Sequence, residues 1–345
     1  MAKTSFATND ALTKKVWDEN LFRDTVKMAY FTKFMGKNYT FLVHTKSELE
    51  KSKGDNVTFG IRMRLAGAGV TSGQTLEGNE EKLKTYNHSL SLERYRHATR
   101  DNGDLDRQRA MFEIDEEAEI ALKEWGAEKI DTLCFDAINS APTTIFYPVS
   151  GTFTKTGTVA TATAAITATD KITPALITKS KIWALTGGNR ANSTSGQTPL
   201  RPIMVNGKKY FVLLVHPDVM GDLKTDATFA QARREALERG KDNPIFSGSE
   251  AVWDGVIVHE HEEMPIATTW GAGGTVAGAK CVLMGAQSLV WAWGKKPKVV
   301  YEKFDYGEEH GFGWGMTAAV NKPKFNSKDY GSVALYVART KVSDI

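Results

Sequence analysis

The feature that most constrains the fold is a pair of strictly alternating segments joined by a long glycine-rich connection. In "VTFGIRMRL" the apolar residues occupy every second position from Val57 to Leu65, and "YNHSLSL" alternates again from Tyr86 to Leu92. Successive side chains of a β-strand point to opposite faces, so this pattern predicts two paired strands, each with one covered face. The connection, Ala66–Thr85, has about 20 residues, whereas hairpin loops usually have about 2–5. We therefore expect an arm that reaches another molecule.

A long helical pattern follows. Between Asp104 and Asn139 apolar residues recur at helical spacing among many acidic ones, Asp104 can cap the start, and Pro142 lies past the end. At about 1.5 Å per residue, this predicts a structural spine of roughly 50 Å. An amphipathic helix is also predicted from Asn9 to Phe34. Its apolar face must be covered by this chain or by a neighbouring one.

The rest of the chain mixes helical and strand patterns, so the predicted fold class is α+β. Helices are predicted at Pro174–Leu185, after the turn His216–Asp218, and at Ala227–Gly240, where the glycine closes the helix. Strands are predicted at Tyr210–Val215, Ala251–Glu260, Ala279–Trp293, Lys298–Phe304, Phe312–Val320 and Ser332–Arg339. The Thr/Ala-rich segment Gly151–Asp170 favours short strands or extended chain because its residues are often β-branched.

Composition excludes several classes of protein. Lysine and arginine total 44 against 41 acidic residues, a formal net charge of +3, which is too balanced for a surface devoted to holding nucleic acid. Cys134 and Cys281 lie in apolar segments, which indicates core residues in a reducing compartment rather than a disulfide framework. The start "MAKTSFATND" lacks the layout of a signal peptide, and no apolar run approaches the roughly 18 residues of a membrane span. We expect a soluble protein made inside the cell, without a membrane partner.

The most chemical-looking segment is "HEHEE", His259–Glu263. A zinc-protease motif needs His-Glu-x-x-His on a helix, but these histidines are two positions apart and follow a β-branched run that predicts a strand. On a strand both imidazoles would face the same side, and with a glutamate such as Glu262 they could form a metal-binding module or a metal-dependent hydrolase. A solvated strand end is the simpler interpretation. A nucleic-acid-binding role is a third, weaker alternative.

No other motif indicates catalysis. The run "GFGWG", Gly311–Gly315, lacks the spacing and the following helix of a dinucleotide fingerprint, so its glycines indicate a bulge or close packing beneath aromatic neighbours. "TGGNR", Thr186–Arg190, lacks the lysine of a P-loop and indicates a helix end. Ser288 lies in no nucleophile-elbow pattern. We expect no catalytic, cofactor-binding or metal-binding residue and therefore no enzyme.

Four segments, in order, carry a resemblance to a known family. They are "LLVHPDVMGDL" (Leu213–Leu223), "NPIFSGSEAVWDGVIVHE" (Asn243–Glu260), "FDYGEEHGFGWG" (Phe304–Gly315) and "KPKFNSKDYGSVAL" (Lys322–Leu335). With the hairpin and the spine helix, they make the chain resemble the tailed-phage major capsid protein with the Hong Kong 97 fold, in the branch typified by coliphage N-four. The first His-Glu pair of "HEHEE" matches a position that is structural in that family.

The resemblance implies both an architecture and a function. Residues 1–44 would be an N-terminal arm, 45–100 an extended loop over a neighbouring subunit, 101–171 a peripheral domain completed by the return strands of 291–345, and 172–290 an axial domain. The protein would build the pentamers and hexamers of an icosahedral head that encloses double-stranded DNA without reading its sequence. Its partners would be its own copies together with scaffolding, portal and decoration proteins. It would be assembled in the host cytoplasm and reside in the virion.

Overall fold

The computed structural model describes residues 29–47, 55–62, 65, 67, 69–83, 85–110, 113–187, 199–205, 207–235, 251–325 and 327–341. The described helices are α1 (Asp104–Arg109), α2 (Ile114–Asn139), α3 (Val159–Ala165), α4 (Pro174–Thr186), α5 (Pro217–Thr225) and α6 (Ala227–Glu235), with 3₁₀ helices at Tyr30–Phe34 and Asp305–Gly307. None of them is both long enough and apolar enough to cross a bilayer.

The described strands are β1 (Met35–Gly36), β2 (Val43–Lys46), β3 (Asn56–Arg62), β4 (Thr85–Ser91), β5 (Glu93–Arg100), β6 (Ile145–Val149), β7 (Thr152–Thr156), β8 (Ile203–Val205), β9 (Lys208–Val215), β10 (Ala251–Trp253), β11 (Val256–Glu260), β12 (Ile266–Trp270), β13 (Val276–Met284), β14 (Leu289–Phe304), β15 (Glu309–Asn321), β16 (Lys324–Phe325), β17 (Lys328–Asp329) and β18 (Ser332–Ala338). The described residues form two units: one holds residues 96–128 and 297–315, and the other holds the remainder.

A nine-stranded sheet organises the larger unit. Its main path runs β10-β11-β9-β13-β18-β6-β7, with β12 paired to β13 and β8 to β9. β9 pairs in parallel with β11 and antiparallel with β13. The segment Phe211–Val215 is fully buried. A continuous apolar run of this kind is expected where both faces of a strand are covered.

Local signals fix the helices beside this sheet as predicted. Thr173 caps α4 by accepting a hydrogen bond from the Leu176 N–H, and Gly187 ends the helix at φ 65°. His216 caps α5, since its side chain accepts from the Asp218 N–H, and Pro217 occupies the first turn, where a missing N–H costs nothing. The predicted sequence of strand, turn and helix is therefore confirmed.

The predicted hairpin is also confirmed. β3 and β4 are antiparallel, with Asn56 opposite Ser91 and Arg62 opposite Thr85. The alternation places Val57, Phe59 and Leu90 in a small core. In the same unit β2 lies in parallel between β1 and the beginning of β14.

The smaller unit contains β14 from Pro297 onwards, β15 as far as Gly315 and β5 from Arg96 onwards, neighbours in that order, together with α1 and the first half of α2. Trp125 of α2 meets Trp314 of β15 edge to face, with 5.3 Å between ring centroids, and His97 of β5 lies 4.7 Å from Trp125. Gly126 permits this approach, because a Cβ there would lie 2.5 Å from the Trp314 ring. Within "GFGWG", predicted to allow a bulge or close packing beneath aromatic neighbours, Gly311 confirms the close packing: a Cβ there would lie 2.6 Å from Phe304.

Some expectations are wrong. The single helix predicted over Asp104–Asn139 is two helices, because Ala110 adopts an extended backbone with ψ 139°. The 26 residues of α2 therefore span about 39 Å rather than 50 Å. The helix predicted over Asn9–Phe34 lies outside the described residues as far as Met28, and the end that is described is a 3₁₀ helix entered through a non-helical Ala29.

Two smaller differences follow from tertiary packing and turn chemistry. Within Gly151–Asp170, β7 agrees with the prediction but α3 does not, and α3 buries Ala162 completely. The strand predicted over Ala251–Glu260 is a hairpin, in which Asp254 (φ 45°) and Gly255 (φ 76°) make a tight turn. The predicted glycine end of α6, Gly240, lies outside the described residues.

Candidate functional site

The "HEHEE" histidines lie in an aromatic cluster. β11 places His259 at 0% exposure, with its ring 5.5 Å from that of Phe34 and 6.0 Å from that of Tyr30. His261, just past the strand, lies 4.7 Å from Tyr30 and 4.3 Å from Phe135. Its Nδ1 accepts a hydrogen bond of 3.2 Å from the Glu263 N–H. The expectation of a solvated strand end is therefore wrong for His259.

This arrangement does not support the metal alternative. Glu262 is exposed, and it does not join the two histidines in a ligand set. The same cluster anchors the chain that enters β1: the Asp131 carboxylate accepts hydrogen bonds from the N–H groups of Tyr30 and Phe31, the latter at 2.9 Å. Burial, followed by the charge of Asp131, raises the pKa of the Tyr30 phenol far above its ordinary value. These groups hold an aromatic core together.

A different set of side chains does converge in the smaller unit. Asp101, Asp115 and His310 form the one group of potential metal ligands within the described ranges. His310 Nδ1 lies 3.0 Å from Asp115 Oδ2, and the His310 N–H donates to Asp101 Oδ1 at 2.5 Å. Arg107 Nη1 lies 2.9 Å from Asp101 Oδ2, and Arg107 Nη2 donates to the Glu308 carbonyl at 2.6 Å. The Arg107 guanidinium thus already neutralises the charge of the Asp101 carboxylate, which a metal ion would need as a ligand.

We therefore assign this group, which we call the Arg107 clamp (Asp101, Arg107, Asp115 and His310), a role in fastening chain segments together. Sequence reasoning did not find it. Its members are separated by up to 209 positions, so no local spacing could have indicated it.

Both cysteines lie in the core, as predicted. Cys134 and Cys281 are each 0% exposed. Burial raises the pKa of the Cys134 thiol well above its ordinary value and that of Cys281 to about 12. Because the thiolate is the nucleophilic form, neither sulfur is activated.

The most prominent exposed feature is the tip of the β3–β4 hairpin, residues 65–83. Its root is packed, since Val57, Phe59 and Leu90 contact Val290 and Ala292. The tip is organised by its own hydrogen bonds, such as 2.6 Å from the Gly67 N–H to Glu81 Oε2. Its large apolar residues are nonetheless exposed: Leu65 (55%), Leu76 (63%) and Leu83 (56%). Three exposed leucines on one segment make it the candidate surface for contact with another molecule.

A second exposed tip lies between β14 and β15. Asp305, Tyr306 and Gly307 have φ values of 44°, 54° and 98°, and the Tyr306 side chain is fully exposed. A left-handed backbone is costly for residues other than glycine and persists where surrounding structure or function requires it. Both exposed tips thus show large side chains and little reactive chemistry.

Known proteins agree with this distribution of features. A family model described as phage capsid protein matches residues 5–340. The major capsid protein of Pseudomonas phage KPP25 is 27% identical over 372 aligned positions, which cover 97% of each chain. The capsid of Ralstonia phage GP4 has a TM-score of 0.82 at 24% identity and 99% coverage of both chains. The capsid of cyanophage Pam1 has a TM-score of 0.80 at 23% identity, covering 98% of this chain and 99% of that one. These likenesses confirm the predicted α+β, Hong Kong 97-like fold.

Proposed function

Because this chain belongs to the phage capsid protein family, we propose that its copies assemble into the pentamers and hexamers of an icosahedral head that encloses double-stranded DNA. The chain is a major capsid protein of a tailed bacteriophage, a structural component of the virion that assembles with copies of itself, and not an enzyme. Its membership of the N-four branch stays a prediction.

The observation that carries the assembly mechanism is the projecting β3–β4 hairpin. Its root is fixed by apolar packing, while the described residues of its own chain leave three leucines of the tip more than half exposed. Burial of apolar surface contributes about 25 cal/mol per Å², so one tip gives a modest contact free energy. A closed shell repeats each contact many times, and multivalent closure makes modest contacts sufficient.

The proposed domains and their roles follow from the resemblance to the Hong Kong 97 fold. Residues 1–44 form the N-terminal arm, 45–100 the extended loop, 101–171 and 291–345 the peripheral domain, and 172–290 the axial domain around the five- and sixfold positions. We propose scaffolding, portal and decoration proteins as further partners and the host cytoplasm as the place of assembly. A net charge of +3 suits a shell that encloses DNA without binding it tightly.

Deleting the loop tip, Ala68–Glu81, tests the arm. We expect a folded subunit that no longer forms closed shells, rings or tubes, as seen by negative-stain electron microscopy and analytical ultracentrifugation. An unchanged thermal unfolding midpoint would show that the subunit is intact. Normal shells from this variant would refute the role of the arm.

A further inference from the structure

Two buried lysines from other segments lie against the carboxyl end of α2, and the assembly function does not use them. Lys280 of β13 is 5% exposed, and its Nζ donates to the Asn139 carbonyl at 2.7 Å. Lys322 is 1% exposed, and its Nζ donates to the Ser140 carbonyl at 3.0 Å. The last carbonyls of a helix have no partner within the helix, so the two amines satisfy them and meet the negative end of its dipole.

The charges of this cluster do not balance. Asp329 is the carboxylate that faces both amines, and Lys322 Nζ lies 3.5 Å from its Oδ2. Two lysine side chains thus share one carboxylate away from water. Burial, followed by the charge of Lys322, lowers the pKa of Lys280 to about 7. A large fraction of Lys280 is therefore a neutral, nucleophilic amine near neutral pH, whereas an ordinary lysine is almost fully protonated.

Lys280 also lines a cavity, and Lys322 is not among the residues that line it. The cavity has a volume of about 290 Å³, and its walls include Pro142, Ile266, Trp270 and Tyr336. The Trp270 and Tyr336 rings stack with 5.0 Å between centroids and form a flat apolar wall. Ile266 at the rim is 47% exposed, so the cavity opens towards solvent. Asn139 and Lys280 are the amide and the amine among its mostly apolar wall residues, and a mostly apolar pocket with a few polar groups is the usual form of a small-molecule site.

We propose that Lys280 is a covalent binding site for small apolar aldehydes, which enter this cavity and form an imine with its ε-amine. The nitrogen lone pair attacks the carbonyl carbon, and the carbonyl π electrons move to oxygen. Protons pass from nitrogen to oxygen, water leaves, and a C=N bond replaces the C=O bond. No oxidant or reductant is consumed. An anionic ligand is disfavoured, because the carbonyls of residues 139 and 140 face the same amine.

The test is reductive alkylation of the full chain. Propanal and cyanoborohydride, the hydride donor that traps the imine, are added at pH 7, and peptide mass spectrometry measures propylation at each lysine over time. We expect Lys280 to react at least tenfold faster than Lys322, which is equally buried and touches the same helix end. Lys280 should also react faster than exposed lysines at pH 7, and this advantage should shrink at pH 10, where ordinary lysine amines lose their protons.

A larger probe separates cavity access from opening of the fold. A pyrene aldehyde should label exposed lysines and spare Lys280, because it exceeds the cavity. Ala267→Phe, which fills the cavity wall, should slow propylation of Lys280 and leave exposed Lys298 unchanged. Equal rates at Lys280 and Lys322, or labelling of Lys280 by the pyrene probe, would overturn the proposal. Both outcomes are independent of shell assembly.

Discussion

Two regions of the larger unit contrast sharply in residue chemistry and in role. The sheet around β11 and β13 holds His259 and Lys280, the residue types from which catalytic sites are built, yet both are buried and in contact with neighbouring groups. The tip of the β3–β4 hairpin holds mainly glycine, threonine, glutamate and a few leucines, yet it is exposed over most of its length. We propose that in this shell protein the exposure of a surface indicates function better than the presence of reactive groups does.

The contrast predicts that substitutions in the first region change stability, whereas substitutions in the second change assembly. Since unfolding of the free subunit and formation of shells can be measured separately, each of the following variants either sharpens or breaks the distinction.

The largest effect is expected from pH at Lys280. Its pKa is about 7 in the folded chain and about 10.5 when unfolded, so between these values the unfolded chain binds more protons. Stability contributed by this group therefore rises as pH increases from 7 to 10.5, by on the order of 3–5 kcal/mol. Chemical denaturation of wild type and Lys280→Met across this range measures the difference. Lys298→Met, at an exposed site, should keep the wild-type dependence of unfolding free energy on pH. If Lys280→Met keeps that dependence too, the lowered pKa of Lys280 is refuted.

The next effect concerns His259. His259→Ala removes a fully buried ring packed against Phe34 and Tyr30, so we expect a loss of about 2–4 kcal/mol in the free energy of unfolding. Glu262→Ala, three residues further on and exposed, should change it by less than about 0.5 kcal/mol. Urea titrations of both variants make the comparison. If His259→Ala were neutral and Glu262→Ala costly, the segment would have a role other than packing.

A smaller effect tests whether contacts, rather than residue type, decide if a helical glycine can be replaced by alanine. Gly126 and Gly221 both lie inside helices, but a Cβ at Gly126 would lie 2.5 Å from the Trp314 ring, while Gly221 has open space. Gly126→Ala should lose about 1–3 kcal/mol through overpacking. Gly221→Ala should gain roughly 0.5–1 kcal/mol from helix propensity. Thermal unfolding of the pair tests this, and equal shifts would contradict the close packing of Trp125 and Trp314.

Local patterns predicted the elements whose determinants are local. The β3–β4 alternation, the Pro217 and Gly187 helix boundaries and the buried run of β9 all follow from neighbouring residues, and the structure agrees. The break at Ala110 was missed, because no glycine or proline marks it. Arg107 is held there by Asp101 and Glu308, so the direction of α1 is set by distant groups.

The sites were harder to predict for the same reason. The Arg107 clamp and the Lys280–Lys322 pair join residues up to about 200 positions apart, and neither leaves a spacing pattern. His259 was misjudged because nothing near it in sequence shows that Phe34 and Tyr30 cover it. That the hairpin tip is an arm stays a prediction, which rests on a length that conflicts with a compact loop.

The smallest expected change in stability belongs to the hairpin tip, where the largest change in assembly is expected. Leu76→Asp places a charge where the structure shows 63% exposure, so the free energy of unfolding should change by less than about 0.5 kcal/mol. If the leucine is buried against a second copy, the desolvated carboxylate disfavours each contact, and the defect multiplies around the shell. Thr71→Asp adds the same charge to the same tip at an exposed polar position and should assemble nearly as wild type. Shell yields of the two variants, measured by ultracentrifugation, test this contact. Equal yields would mean that the leucines do not make it, and Tyr306 would then be the first residue of another surface to test.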